Sequence, residues 1–326
     1  MEMNRDHSID IFKGLLVIGM VYAHVMQFFS NTHNYPVTGT LIDFFNIVTF
    51  SGFVFSFGYV SQLAYYRKPF NQVYKKMLVT ALKTLIAFYI SGLFFRLFID
   101  GRTLDWELVL PILILSDIPG WSEFLVSFFF IMLIGLIFFK PLLWVVERKK
   151  WFWLICVLFL GTTFIPYELI TFNQLGLIIG STKFASFPVV QYFPFYLLGM
   201  YFSKRKITFH WHVLWISFLL TFIFFAYLLI EDGLPSRFPP SILWIIASPA
   251  FLYMYYLLSR YLNRMHTFIN PLRFMGRYVL FYLLMSNIMI FALKHSQPSL
   301  ALSTVESFLF TTGLLLLIGY FLKLAK

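Results

Sequence analysis

Runs of apolar residues long enough to cross a bilayer recur along nearly the whole chain, and little besides a membrane protein can be built from them. They fall at about 9–30, 41–64, 77–99, 122–145, 150–167, 187–203, 209–230, 239–262, 277–294 and 301–323. A spanning helix needs roughly 20 apolar residues to match the ~30 Å hydrocarbon core. Hydrophobic residues make up 60% of the 326, and charged residues only 12%, half the share of about 25% found in soluble domains. A bilayer accepts helices that are apolar all round. The fold class is therefore all-α: a polytopic transmembrane helix bundle of about 10 helices, forming a single domain over 1–326. Shorter apolar pieces near 104–115 and 173–182 are expected to be interfacial or re-entrant. The first run lacks the small-residue cleavage site of a signal peptide, so it is expected to be retained.

The net charge of +11 would suit nucleic acid or a membrane surface, and its distribution decides between them. Lys and Arg crowd alternate connections. Arg5 and Lys13 open the chain, whereas the next loop, 31–40, has neither residue type. Arg67, Lys68, Lys75 and Lys76 follow, and the alternation continues to Lys323 and Lys326. Of 25 basic residues, 20 fall on one side and 5 on the other. Under the positive-inside rule, both termini are cytoplasmic. The chain is thus expected to be a multi-pass protein of the cell membrane, with the lipid bilayer as its main partner and no nucleic acid. With Cys156 the sole cysteine, neither an intrachain disulfide nor a multi-thiolate metal site is possible, and no metal is expected.

Ionisable residues inside a membrane are costly, so those within the spans are candidates for function. Asp10 and Lys13 are three apart and can pair on one helix face. Lys13 and His24 are eleven apart, which leaves them ~20° out of register and roughly 16 Å apart along the axis. A neutral buried histidine is a competent general base, and a lysine nearer the cytoplasm suits an anionic donor. The plainer reading has Lys13 snorkelling to headgroups and His24 as a hydrogen-bonded structural residue. Glu123, in PGWSEF, can accept hydrogen bonds from sugar hydroxyls or simply complement a helix N-terminus. Its neighbour Trp121 is either an interfacial anchor or a sugar platform. Asp43 and Glu306 are further outer-end candidates. In span two, Ser51, Gly52, Ser56 and Gly58 fit close helix packing. Lys75 and Lys76 face the same mouth as Lys13.

These residues resemble a known family. Asp10, Lys13–Gly14 and the ten residues separating Lys13 from His24 resemble the opening of the acyltransferase 3 membrane proteins, and Ser51–Phe53 matches their Ser-Gly-aromatic signature. GWSEFL, FPFYLLGMYF and FMGRYVLFYLLMSNI resemble later segments of the family, so the likeness covers nearly the whole chain. It implies about ten helices and acyl transfer, commonly of acetyl from acetyl-CoA or of another acyl group from its acyl-CoA. The acceptor implied is a hydroxyl of a cell-surface glycan or lipid-linked sugar. The donor enters as a substrate, and no resident cofactor is implied. His24 matches the essential histidine, Lys13 the basic residue of the donor path, and Lys75–Lys76 stand where the family has paired arginines. Ser286 and Asn287 stand where many members have a late histidine. A rival reading is an exporter or flippase of a glycan or lipid carrier, whose pathway would need similar polar residues.

Overall fold

A computed structural model describes residues 6–231, 233–265 and 269–325. Arg5 and Lys326, which enter the charge pattern, lie outside these described residues. Regular structure among them is helical, apart from one isolated bridge between Arg237 and Pro240. The chain runs through α1 (His7–Phe29), α2 (Pro36–Ala64), α3 (Phe70–Phe98), the short α4 (Trp106–Leu113), α5 (Glu123–Ile137), α6 (Phe139–Glu147) and α7 (Lys149–Gly161). It continues through α8 (Asn173–Ile179), α9 (Val189–Arg205), α10 (Trp211–Ile230), α11 (Ile242–Ile246) and α12 (Pro249–Leu262). It ends with α13 (Asn270–Arg277), α14 (Val279–Ser296) and α15 (Thr304–Leu324).

Seven stretches among the described residues are long and apolar enough to cross a membrane: α1, α2, α3, α10, α11 with α12, α14 and α15. The remaining apolar runs are interrupted, and the breaks have local causes. The run 122–145 divides into α5 and α6, bent by 84°. Pro141 sits three residues into α6, and a proline there has no N–H to continue the hydrogen bonding of α5. Counting this pair as one span gives eight. The run 150–167 yields only the 13 residues of α7, followed by two 3-10 turns on either side of Pro166. The run 187–203 becomes the 17-residue α9, with Pro188 before it and Pro194 within it, and most of its side chains are buried. The two short segments expected at the interface form α4 and α8. Helix α8 is tied to the turn that follows α4, with Asn173 Nδ2 donating to the Ser116 carbonyl at 2.7 Å and Gln174 Nε2 to that of Ile114 at 3.0 Å.

Helix α1 is the axis of the bundle. Asp6 caps it, accepting from the Ser8 N–H at 3.1 Å, and 83% of its most apolar stretch is buried. It packs against α2, α12, α13, α14 and α15. Membrane helices gain little from burying apolar surface against one another, so close van der Waals fit matters more. Gly14 faces the Leu272 carbonyl, and Gly276 faces that of Asp10. A Cβ on either would overlap the opposing oxygen. The pairing of α2 with α9 is built the same way, with Gly58 against the Tyr196 carbonyl and Gly199 against that of Phe55. Phenylalanine rings fill the remaining volume, with Phe50 stacked on Phe187 at 4.0 Å and Phe12, Phe88 and Phe124 fully buried.

Replacing Gly199 with Val would drive its Cβ into the Phe55 carbonyl oxygen. Overpacking of this kind costs about 1–3 kcal/mol. Gly199→Val is expected to lower the unfolding temperature in detergent, whereas Gly313→Val, in open space, should leave it near that of the parent protein.

Candidate functional site

In the half of α1 nearer its C-terminus, His24 is 8% exposed and faces α14. Its Nδ1 lies 3.0 Å from Asn287 Oδ1. The orientation of that amide is fixed from the other side. Asn287 Nδ2 donates to the Trp121 carbonyl at 2.9 Å and to Ser91 Oγ at 3.2 Å, while Ser122 Oγ donates to Ser91 Oγ at 2.8 Å. A carbonyl can only accept, so the NH2 end of Asn287 must face Trp121 and its oxygen must face His24. Nδ1 of His24 then carries the hydrogen, and Nε2 keeps its lone pair.

The chain reaches this arrangement through an unusual turn. Trp121 has φ 55°, a left-handed conformation that non-glycine residues seldom adopt and that costs about 1–2 kcal/mol. The indole is held by Nε1 donating to Gln27 Oε1 at 2.9 Å, by stacking on Phe95 at 5.5 Å and by Phe28 at 4.8 Å. The turn sends the Trp121 carbonyl to Asn287 and starts α5 at Glu123.

His24, Trp121 and Glu123 line one cavity of about 160 Å³, together with Gln27, Asn46, Thr49 and Arg237. Glu123 is 7% exposed, and its buried Oε2 has no hydrogen-bond partner among the described residues. The Nε of Arg237 is likewise buried and unpartnered among them. The guanidinium lies over the Phe238 ring at 4.6 Å and the Phe187 ring at 5.4 Å, within electrostatic reach of Glu123 and Asp43. A carboxyl group and a guanidinium thus border one small polar space with hydrogen-bonding capacity left over.

The other expected site residues lie elsewhere. At the N-terminal end of α1, Lys13 pairs with Asp10 at 3.0 Å, and Arg277 approaches the same carboxylate at 3.9 Å. Close by in the chain, Asp6 accepts from Tyr59 OH at 2.7 Å and lies 3.9 Å from Arg260. Lys75 and Lys76 are exposed on the first turns of α3, with Lys75 6.0 Å from the Tyr74 ring. Ser51 is buried on α2 but does not line the cavity, although its neighbours Thr49 and Phe50 do. Glu306 is a helix cap: with Ser303 it forms the capping box of α15, at an exposed position.

Reading the sequence missed Arg237, Gln27 and Asn46, which share the His24 cavity, and Ser91, which bonds Asn287. Arg237 counted only as a lone basic residue in an outer loop. Nothing in its local sequence, RFPP, separates it from a solvated loop arginine. Asn287 drew notice only as a departure from a family pattern, yet it is the direct partner of the histidine.

A bundle of apolar helices with a buried, oriented histidine in a polar cavity defines a multi-pass membrane protein with the makings of a proton-transfer site. Residues 6–324 match the family model described as an acyltransferase domain, and the chain belongs to that acyltransferase 3 family. Membership implies acyltransferase activity. Among curated proteins and among solved structures, none matches the chain.

Replacing Asn287 with Leu, close to it in shape, would leave the Trp121 carbonyl and the His24 Nδ1–H without a partner. Each buried unsatisfied group costs about 1–3 kcal/mol. A lower unfolding temperature is expected, read by tryptophan fluorescence, with a larger loss than for Ser91→Ala.

Proposed function

We propose that the protein is a membrane O-acyltransferase that moves an acyl group, acetyl in the simplest case, from a cytoplasmic acyl-CoA to a hydroxyl of a cell-surface glycan or lipid-linked sugar. The observation that carries this reading is the Asn287-fixed tautomer of His24, which leaves Nε2 as a proton acceptor beside a cavity holding Glu123 and Arg237. The topology in this proposal is ten crossings with both termini cytoplasmic, supported by the alternation of basic loops. That orientation puts Asp10 and Lys13 at the cytoplasmic mouth and His24 deeper in the membrane.

In the proposed reaction, His24 Nε2 takes the proton of the acceptor hydroxyl as its oxygen attacks the thioester carbonyl. The C–O bond forms and the C–S bond breaks, and the departing thiolate takes the proton back from Nε2. Asn287 holds the ring and supports the imidazolium that forms between the two steps. Glu123 accepts from a second hydroxyl of the acceptor and so orients it. Arg237 donates to the oxyanion that develops on the acyl carbonyl, in a site where a preorganised donor is worth more than in water. Lys13, with Lys75 and Lys76, attracts the phosphates of the donor to the cytoplasmic face, and the Asp10 carboxylate keeps the Lys13 ammonium in place.

The test is thiol release from acetyl-CoA by the protein in lipid nanodiscs, with mass spectrometry of a glycan acceptor. His24→Ala is expected to lower kcat by about 10²–10⁴-fold, the usual contribution of a general base, with acyl-CoA binding retained. Asn287→Ala should lower kcat with little change in KM, and Arg237→Ala should do likewise. Acceptor acylation at the parent rate by His24→Ala would overturn the assignment. Transfer of an unmodified glycan across the bilayer, without thiol release, would favour an exporter.

A further inference from the structure

A second and larger cavity lies away from His24. Helix α10 packs along α11 and α12 and leaves a gap toward α9 and α7. The gap encloses about 580 Å³, within the range of about 300–1,000 Å³ typical of ligand sites. Its walls are apolar, supplied by Phe195, Leu198 and Phe202 of α9, Ile216 and Leu220 of α10, and Leu252 of α12. Ser217 also lines it, but its hydroxyl already donates to the Leu214 carbonyl at 2.8 Å. The walls therefore offer a hydrocarbon chain contact without stranding a polar group.

One end of this cavity has a different chemistry. Lys149 opens α7, His210 caps α10 and His212 follows it; all three line the cavity and are exposed. The imidazoles of His210 and His212 lie 5.4 Å apart. Nearby Lys204 is committed to Glu147 at 2.6 Å, whereas Lys149 has no salt-bridge partner within 4.0 Å among the described residues. Around this end, Trp144, Trp151 and Trp211 are 40%, 46% and 61% exposed. Exposed tryptophans of this kind mark the level of lipid headgroups. A deep apolar space, open at headgroup depth beside one lysine and two imidazoles, has the polarity profile of an anionic amphiphile.

We propose that this cavity binds a phospholipid of the surrounding bilayer with an anionic headgroup. One acyl chain fills the space between α9 and α10, and the phosphate meets Lys149, His210 and His212. A zwitterionic lipid would fill the same walls but offer less to the basic end, and a free phosphate would leave the apolar volume unfilled. The lipid is then a wedge that joins the peripheral α10, only 17% buried over its most apolar stretch, to the buried α9. The site is separate from the His24 cavity, so it stands or falls independently of acyl transfer.

The experiment is thermal unfolding and native mass spectrometry of the detergent-purified full chain with phosphatidylglycerol, phosphatidylcholine or inorganic phosphate. Phosphatidylglycerol is expected to raise the unfolding temperature in a concentration-dependent way and to remain bound in the gas phase, with at least a tenfold preference over phosphatidylcholine. Inorganic phosphate should give no shift. The combined variant Lys149→Ala, His210→Ala and His212→Ala should lose the preference while still binding lipid. Leu198→Trp, which fills the cavity, should lose retention of both lipids while keeping the parent helix content by circular dichroism. Equal binding of the two lipids by the parent protein would overturn the proposal. So would a preference that survives in the triple variant, retention that survives Leu198→Trp, or a shift of equal size with phosphate alone.

Discussion

Backbone-to-backbone contact along α1 is the constraint on which the site depends. In a bilayer, lipid tails compete on equal terms with side chains, so helices hold together where shape lets them approach closely. Gly14 against Leu272 and Gly276 against Asp10 lock α1 to α13, which leads directly into α14 and Asn287. Gly52 accommodates the Leu16 side chain from α2. The His24–Asn287 bond at 3.0 Å joins residues 263 positions apart in sequence, and it forms because those glycine contacts fix the depth and rotation of both helices.

The site has two levels of order. The inner level is a chain of hydrogen bonds with assigned directions, from Ser122 to Ser91 and from Asn287 to Trp121 and Ser91, that leaves His24 no choice of tautomer. The outer level is unsatisfied: Glu123 and Arg237 keep buried atoms without hydrogen-bond partners among the described residues. Saturated groups give rigidity, and unsaturated ones give binding capacity. Their combination in one small cavity is what a preorganised active site requires.

Much of this was legible in the chain. Apolar runs identified the helical class, and the three-residue spacing of Asp10 and Lys13 foretold their ion pair. The two shorter apolar pieces at α4 and α8 stood apart from the longer runs by length alone. What sequence periodicity could not show was where a run breaks. Pro141 and Pro166 turn two expected spans into bent or short pieces, while α9, another expected span, has most of its side chains buried in the protein. Arg237 escaped notice because a basic loop residue looks the same in sequence whether water or aromatic rings surround it. Asn287 escaped for a related reason, since its role is set by α1 and by the turn before α5. The shared face of Lys13 and His24 was correct as helix geometry, but Lys13 pairs with Asp10 on α1 itself, whereas His24 finds Asn287 on α14.

The turn at Trp121 has a consequence for how this site would be read by mutagenesis. Its contribution to His24 runs through a main-chain carbonyl, which every side-chain substitution retains. Replacing the indole would free Gln27 and loosen the packing on Phe28 and Phe95, yet the acceptor that orients Asn287 would remain so long as the backbone kept its left-handed twist. A survey of side chains would therefore record Trp121 as a packing residue and leave its part in orienting Asn287 unseen. That part belongs to the φ angle, and a glycine, which adopts the twist without strain, would separate the two.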